Sequence, residues 1–177
     1  MNLPNKLTLC RMAAIPFIVA MMMIGATWSS VIALILFILA AFTDFLDGHI
    51  ARKNQIVTDF GKFLDPIADK LLVLSTLIML SQQGKIAACI VILILARELC
   101  VDGLRLIAVT KGLVIAAGKL GKIKTVLQII LIVWLMIGFS GTFSTVVGTL
   151  LTVAVVAMTL WSGVDYFIRN KGVIASR

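Results

Sequence analysis

Long apolar runs separated by short polar segments make up most of this 177-residue chain. Six of the runs approach the length of about 20 residues that a helix needs to cross a bilayer. They lie at about 12–28, 31–50, 66–82, 86–108, 125–140 and 144–164. Neither a linker nor a low-complexity segment divides them. The pattern therefore predicts an all-α integral membrane protein, with six transmembrane helices in a single domain over residues 1–177.

The segment before the first run is mildly amphipathic, and we expect residues 2–11 to form an N-terminal interfacial segment at the membrane surface. The run that follows is long, and residues 25–27 make a poor cleavage site. It is therefore predicted to be an uncleaved first span rather than a secretory signal. A short polar turn at residues 28–30 would then lead into the second span.

Composition and charge restrict the class of protein further. The chain is 61% hydrophobic and only 14% charged, which excludes a soluble domain. A net charge of +8 could indicate nucleic acid, but under the six-helix topology every Lys and Arg except Lys85 falls on one side. The positive-inside rule makes that side the cytoplasm. We therefore expect a multi-pass protein of the cytoplasmic membrane with both termini in the cytoplasm, and no nucleic-acid partner.

A cluster of carboxylates lies between the second and third runs. Asp44 and Asp47 are three residues apart, and Asp65 and Asp69 are four apart, so each pair shares one face of a helix. A charge costs up to roughly 2.5–3.5 kcal/mol on insertion scales, the value at the centre of a membrane-spanning helix, so such a cluster indicates function. Four converging carboxylates need cations, and hard oxygen ligands favour Mg²⁺, Mn²⁺ or Ca²⁺. The positive-inside topology places this cluster at the cytoplasmic ends of its helices.

Two glycines and an arginine accompany the carboxylates. Gly48 and Gly61 remove side chains beside them, which allows a bulky ligand to approach the backbone. Arg52 lies eight residues after Asp44, about two turns along the same face, where its planar guanidinium can bind a phosphate. Carboxylates, bare backbone and an arginine together suggest phosphoryl transfer on a diphosphate substrate.

The pattern Asp-x₂-Asp-Gly-x₂-Ala-Arg-x₈-Gly-x₃-Asp-x₃-Asp, which occupies residues 44–69, resembles the complete signature of the CDP-alcohol phosphotransferases. Single members of the set also fit structural roles. Asp65 can cap a helix that begins at Pro66, Asp69 can pair with Arg52 or Lys70, and the first two aspartates can be interfacial residues. Eight positions at fixed spacing favour the functional interpretation of the whole set.

The resemblance implies the CDP-alcohol phosphotransferase fold, a homodimer and a site with two divalent ions, Mg²⁺ or Mn²⁺. The metal ligands would be Asp44, Asp47, Asp65 and Asp69, with Asp69 also the catalytic base. The groups binding the CDP-diacylglycerol head would be Gly48, Ala51, Arg52 and Gly61. With no Ser, Cys or His at a plausible place for a covalent intermediate, a single displacement is predicted.

The N-terminal segment also carries a resemblance, to the start of phosphatidylglycerophosphate synthases within that family. Asn5, Thr8 and Arg11 stand at the matching intervals, which implies that they bind the nucleotide or head group of CDP-diacylglycerol. The alternative is that Lys6 and Arg11 only anchor the chain near lipid head groups.

A second basic region follows the fourth run. Arg105, Lys119, Lys122 and Lys124 lie in a stretch similar to the one that distinguishes phosphatidylglycerophosphate synthases, which implies a glycerol 3-phosphate site. The lysines also fit simple anchoring to anionic membrane lipid. Asp102 is a departure from those enzymes, and it would repel a phosphate unless it is paired, for example with Arg105.

A neighbouring pair of opposite charges precedes this region. Arg97 and Glu98 are adjacent in sequence and so point in different directions on a helix, which argues against a mutual ion pair.

The predicted reaction is the transfer of a phosphatidyl group from CDP-diacylglycerol to glycerol 3-phosphate, with release of CMP. Within the same enzyme class the acceptor can instead be inositol, inositol phosphate, serine or phosphatidylglycerol. From another class, a divalent-cation transporter also places acidic residues in membrane helices. A non-catalytic membrane scaffold would give no reason for the glycines and arginine at these spacings.

Overall fold

The structure, a computed structural model, describes residues 3–54, 59–113, 115 and 118–172, with side chains except at 3–6, 44–54 and 59–63. Within these ranges the chain is helical, with short connections and no strand. The six helices are α1 (Leu3–Ile24), α2 (Thr27–Asn54), α3 (Asp59–Gln82), α4 (Ala88–Thr110), α5 (Lys119–Ile137) and α6 (Thr142–Arg169). The all-α prediction and the predicted number of helices are confirmed over the described part.

The first compact unit comprises Met1–Lys85 and Ile132–Gly138. In it α1 packs against both α2 and α3. Ile18, Phe37 and Leu77 are fully buried and give one core residue from each of these helices. Large apolar side chains fill this contact, and their burial stabilises the packing of the three helices.

The turn between α1 and α2 lies earlier than predicted. Gly25 has a φ of 71°, a left-handed conformation that glycine adopts without strain, and it ends α1 directly after Ile24. Ser29, expected in a turn, instead lies within α2 and donates its hydroxyl to the Ala26 carbonyl at 2.8 Å. The reversal therefore depends on the glycine rather than on the polar residues after it.

The N-terminal interfacial segment is not a separate element in the structure. Helix α1 runs unbroken from Leu3, so the described part of residues 2–11 forms its first turns. Thr8 is 1% exposed and packed inside the unit. The segment therefore belongs to the helix bundle.

The second compact unit comprises Ile86–Leu131 and Phe139–Arg177. Helices α4 and α6 pack against each other around a cluster of buried side chains. The cluster contains Val101, Leu104, Ala108 and Tyr166. Leu104 and Ala108 are four residues apart on one face of α4, which fixes the side of that helix that α6 covers.

Apolar side chains also cover the outer surface of the helices. Phe17, Phe143 and Trp161 are more than half exposed, which in a membrane protein is the arrangement of lipid-facing residues. Over the described residues, α1, α5 and α6 are long and apolar enough to cross a bilayer, while the apolar part of α2, Thr27–Thr43, is shorter. The chain is a multi-pass membrane protein, and six spans remain a prediction because α3 and α4 carry charged residues.

Candidate active site

The two halves of the aspartate motif lie on consecutive helices. Helix α2 continues to Asn54 and so includes Asp44, Asp47, Gly48, Ala51 and Arg52. Their side chains lie outside the part that the structure describes, and their predicted roles stay predictions.

Helix α3 begins at Asp59 and carries the second half of the motif. Gly61 lies in its first turn, where side chains are again outside the described set. Pro66 lies inside α3, so the alternative that Asp65 caps a helix beginning at this proline is wrong. Asp65 and Asp69 are thus successive positions on one face of a continuous helix, as predicted.

Helix α1 supplies hydrogen-bond donors to both of these aspartates. The Thr8 hydroxyl donates to Asp65 Oδ1, and Arg11 Nη1 donates to Asp69 Oδ1 at 2.6 Å. Thr8 and Arg11 are three residues apart on α1, a spacing that matches the four-residue spacing on α3. The structure therefore brings the predicted N-terminal residues together with the second pair of motif aspartates.

Arg11 is buried, which does not fit the anchoring alternative. The residue is 2% exposed, whereas the Asp69 side chain is 39% exposed. A lysine or arginine that anchors a chain at lipid head groups keeps its charge in water. Arg11 instead places its guanidinium inside the helix bundle, against a carboxylate that remains accessible.

Asn5 lies on α1 three residues before Thr8, so the two share a helix face. Its side chain is outside the described set, and its role in binding stays a prediction.

The described half of the aspartate cluster has the chemistry of a site for hard cations. Asp65 and Asp69 offer carboxylate oxygens from one helix face, and Asp69 is partly accessible. No group of three His, Cys, Asp or Glu within the described side chains could hold a metal ion. Asp44 and Asp47, the other predicted ligands, are not among those side chains. The donor set fits Mg²⁺ or Mn²⁺, and metal binding stays a prediction.

In the second unit, four polar side chains from three helices contact one another. Arg97 Nη1 donates to Glu98 Oε1 at 3.0 Å, and the Lys124 ammonium on α5 binds the same oxygen. Arg97 Nη2 also donates to the Ser162 hydroxyl on α6 at 3.0 Å. The expectation that Arg97 and Glu98 do not pair is wrong. Their Cβ atoms diverge, but the long arginine side chain can bend back to its neighbour.

The predicted acceptor residues fall into buried and exposed members. Lys124 is 3% exposed, whereas Lys119 and Lys122 are exposed on the first turns of α5. Arg105 is partly buried, and its Nε donates to the Tyr166 hydroxyl at 3.0 Å. Its guanidinium carbon lies 5.6 Å from the centre of that ring. Arg105 and Lys124 are therefore fixed by neighbours, and the two exposed lysines are accessible.

The amino-terminal turn of α5 carries basic rather than acidic side chains. The amino end of a helix carries partial positive charge, which favours acidic residues there and disfavours lysines. The first turn of α5 has no acidic residue, and Lys119 begins the helix. Basic side chains at a helix amino terminus repel each other and the helix dipole, and both repulsions are relieved by an anion. The arrangement suits an anionic ligand.

A cavity of about 450 Å³ lies away from the predicted site residues. It is lined by Met22, Gly25, Met79 and Lys85, at the end of α1 that is remote from Thr8. Burial lowers the pKa of Lys85 from its usual value of 10.5. Of the predicted catalytic and binding residues whose side chains are described, none lines this cavity.

Comparison with known proteins identifies the family. The family model of CDP-alcohol phosphatidyltransferases matches residues 1–161. A CDP-diacylglycerol–glycerol-3-phosphate 3-phosphatidyltransferase of Bacillus subtilis is 44% identical, over 96% of this chain and 95% of the relative. The Rickettsia bellii protein of that name is 41% identical, over 94% of this chain and 93% of the relative. A probable phosphatidylglycerophosphate synthase of Mycobacterium tuberculosis is 40% identical, over 95% of this chain and 81% of the relative. The chain belongs to the CDP-alcohol phosphatidyltransferase family.

Proposed function

We propose that this protein is a phosphatidylglycerophosphate synthase of phospholipid biosynthesis, which transfers the phosphatidyl group of CDP-diacylglycerol to glycerol 3-phosphate and releases CMP. The observation that carries the proposal is the pair of contacts from Thr8 and Arg11 to Asp65 and Asp69. These contacts join a segment typical of such synthases to the family signature. Relatives that carry this activity in their names match nearly the whole chain.

The metal site would use Asp44, Asp47, Asp65 and Asp69 as ligands for two Mg²⁺ or Mn²⁺ ions. Bound divalent ions would supply neutralisation of the diphosphate and stabilisation of the attacking and leaving oxygens. The Thr8 and Arg11 contacts would restrict the rotamers of the two aspartates on α3, so that less ordering is needed when ligands bind.

The donor would bind at the same end of the first unit. Gly48, Ala51 and Gly61 would allow the nucleotide to lie close to the helices, with Arg52 on the diphosphate. Asn5, Thr8 and Arg11 would complete the binding of the head group from α1. The two acyl chains would stay in the bilayer, which accounts for a site on membrane helices.

The acceptor would be held by the basic residues of the second unit, Arg105, Lys119, Lys122 and Lys124. Three observations support an anionic acceptor: exposed lysines at the start of α5, no acidic residue in that turn, and the fixed position of Arg105 against Tyr166. A phosphorylated acceptor satisfies this charge better than serine or inositol does.

Asp69 would act as the general base. Its carboxylate would take the proton from the acceptor hydroxyl while that oxygen bonds to the phosphorus of the phosphatidyl group. The bond from the same phosphorus to CMP would break in this single displacement. The partial exposure of Asp69 leaves its carboxylate reachable by an acceptor.

The charge distribution supports the proposed cellular arrangement. All the Lys and Arg residues except Lys85 fall on one side of the predicted topology, which favours the cytoplasmic membrane with both termini and the active site facing the cytoplasm. Soluble CMP and glycerol 3-phosphate are exchanged on that side. We further propose a homodimer, on family resemblance alone.

The test is CMP release by the purified protein with CDP-diacylglycerol and Mg²⁺ or Mn²⁺, with each candidate acceptor added separately. We expect release only with glycerol 3-phosphate, its loss on chelation of the metal, and a decrease of about 10²–10⁴-fold in Asp69→Asn. Asp165→Asn, a partly buried carboxylate paired with the exposed Arg169, is the control and should retain activity. Release with serine or inositol phosphate instead would change the acceptor and keep the donor and metal assignments.

The divalent-cation transporter is the rival hypothesis, and membership of a transferase family argues against it. Metal uptake into liposomes without CMP release from any acceptor would favour the transporter.

A further inference from the structure

Arg97 lies at the centre of the polar contacts in the second unit, although the predicted acceptor site does not include it. It hydrogen-bonds Glu98 on its own helix and Ser162 on α6, and Glu98 in turn binds Lys124 on α5. The arginine therefore connects α4 with α6 directly, and with α5 through one carboxylate oxygen.

These charges are removed from solvent. The side chains of Arg97, Glu98 and Lys124 are 13%, 12% and 3% exposed. Replacing a buried ion pair by apolar residues is often neutral or stabilising, so the ion pairs are weak evidence of a purely structural role. The contacts among Arg97, Glu98 and Lys124 are more readily explained if they hold the Lys124 ammonium in one orientation.

A glycine of α6 leaves room for the arginine, whereas one of α5 could carry a Cβ at an ordinary contact distance. A Cβ on Gly163 of α6 would lie 3.3 Å from Arg97 Cγ, and one on Gly121 of α5 would lie 3.8 Å from Arg97 Nη2. The first distance is tight enough to displace the arginine side chain. The small residue on α6 therefore helps to determine where the guanidinium lies.

We propose that Arg97 is a positioning residue: it orients the Glu98 carboxylate and, through it, the Lys124 ammonium for use of the phosphorylated acceptor. The inference rests on the proposed function, since Lys124 belongs to the proposed acceptor site. Arg97 and Lys124 bind the same oxygen, Glu98 Oε1, so a rotation of the carboxylate that follows loss of Arg97 also moves the ammonium.

The experiment is steady-state CMP release by the full-length protein, titrating glycerol 3-phosphate and CDP-diacylglycerol in turn. We expect Arg97→Lys and Glu98→Gln to raise the KM for glycerol 3-phosphate about tenfold or more, with the KM for CDP-diacylglycerol nearly unchanged. Arg169→Lys, at an exposed arginine of α6, is the matched control.

A double variant tests whether Arg97 affects acceptor binding through Lys124 or independently of it. If Arg97 acts through Lys124, Arg97→Lys/Lys124→Gln has the same acceptor KM as Lys124→Gln alone. Independent, multiplying effects would overturn the proposal, as would a fall in kcat with both KM values unchanged. These comparisons require that the wild-type protein uses glycerol 3-phosphate. If it does not, the proposed function is wrong, and this proposal fails with it.

A milder variant covers the case in which the charge substitutions prevent folding. Gly163→Ala should displace Arg97 slightly and raise the acceptor KM in the same direction but by less. Gly103→Ala, where an added Cβ meets nothing within 4 Å, should leave it unchanged. Equal acceptor KM values for these two alanine variants would count against the proposal.

Discussion

Arg11 of α1 donates a 2.6 Å hydrogen bond to the Asp69 carboxylate of α3, with its own side chain almost fully buried. The contact joins two parts of the chain 58 residues apart. It gives the last aspartate of the family signature a fixed cationic neighbour. The sequence alone predicts that this arginine binds the head group of the substrate.

Replacing Arg11 should destabilise the first unit. Arg11→Met removes the charge but keeps much of the apolar stem, leaving Asp69 without this partner. We expect a loss of about 1–3 kcal/mol in the free energy of unfolding. The value stays below that for a fully buried pair because Asp69 is partly exposed. Denaturant unfolding of detergent-solubilised protein, followed by circular dichroism, measures it.

Arg169→Met is the control for Arg11→Met. Arg169 is 73% exposed and pairs with Asp165 four residues earlier on the same helix, so the loss should be about 0.5 kcal/mol or less. Equal losses in the two variants would contradict a structural contribution from the Arg11–Asp69 contact.

Removing the Tyr166 hydroxyl should weaken acceptor binding. Tyr166→Phe keeps the ring that packs with Val101, Leu104 and Ala108 but removes the acceptor of the Arg105 hydrogen bond. A lost hydrogen bond to a charged group costs roughly 1.5–3 kcal/mol. We expect the KM for glycerol 3-phosphate to rise about tenfold, measured by CMP release.

The matched control for Tyr166→Phe is Trp161→Phe, at an aromatic residue on the exposed surface of α6. It should leave both KM values unchanged. A parallel rise in the KM for CDP-diacylglycerol in Tyr166→Phe would mean that the hydroxyl supports the general fold rather than the position of Arg105.

The pH dependence of stability should contain a contribution from Lys85, in the connection between α3 and α4. Partial desolvation lowers its pKa below 10.5, although much of the side chain is exposed, so the folded protein loses this proton at a somewhat lower pH than the unfolded chain. Between the two pKa values the unfolded state binds more protons, and stability therefore rises with pH. We expect this alkaline rise in the thermal midpoint to be absent in Lys85→Met.

Lys171→Met, at an exposed lysine beyond α6, tests whether the effect belongs to Lys85. It should keep the alkaline rise of the wild type. The prediction is wrong if both variants, or neither, lose it.

Sequence periodicity predicted the helices and the placement of the motif because both depend on local spacing. Asp65 and Asp69 share a helix face in any continuous helix, and the structure has such a helix across Pro66. Polarity at Ser29 predicts the α1–α2 turn a few residues too late, because the conformational freedom of Gly25 ends α1 first.

Sequence periodicity does not predict contacts between segments that are far apart in the chain. Thr8 and Arg11, three residues apart, share a helix face, as do Asp65 and Asp69, which are four apart, but periodicity does not say which helix lies beside α1. The prediction that Arg97 and Glu98 do not pair is wrong for a different reason. Cβ directions describe short side chains well, whereas an arginine has enough rotatable bonds to reach its sequence neighbour.

The unbroken course of α1 has a mechanical consequence. Besides the Arg11 contact, the Met22 carbonyl near the C-terminal end of α1 accepts a 3.0 Å hydrogen bond from Gln83, just beyond α3. The two attachments are about 16 Å apart along α1, at 1.5 Å per residue. They follow the same order on both helices, so α1 and α3 run parallel and are joined near their middles and near their C-terminal ends. Sliding of one helix past the other would break both attachments at once, so we expect α1 and α3 to stay together when a lipid substrate reaches the aspartates.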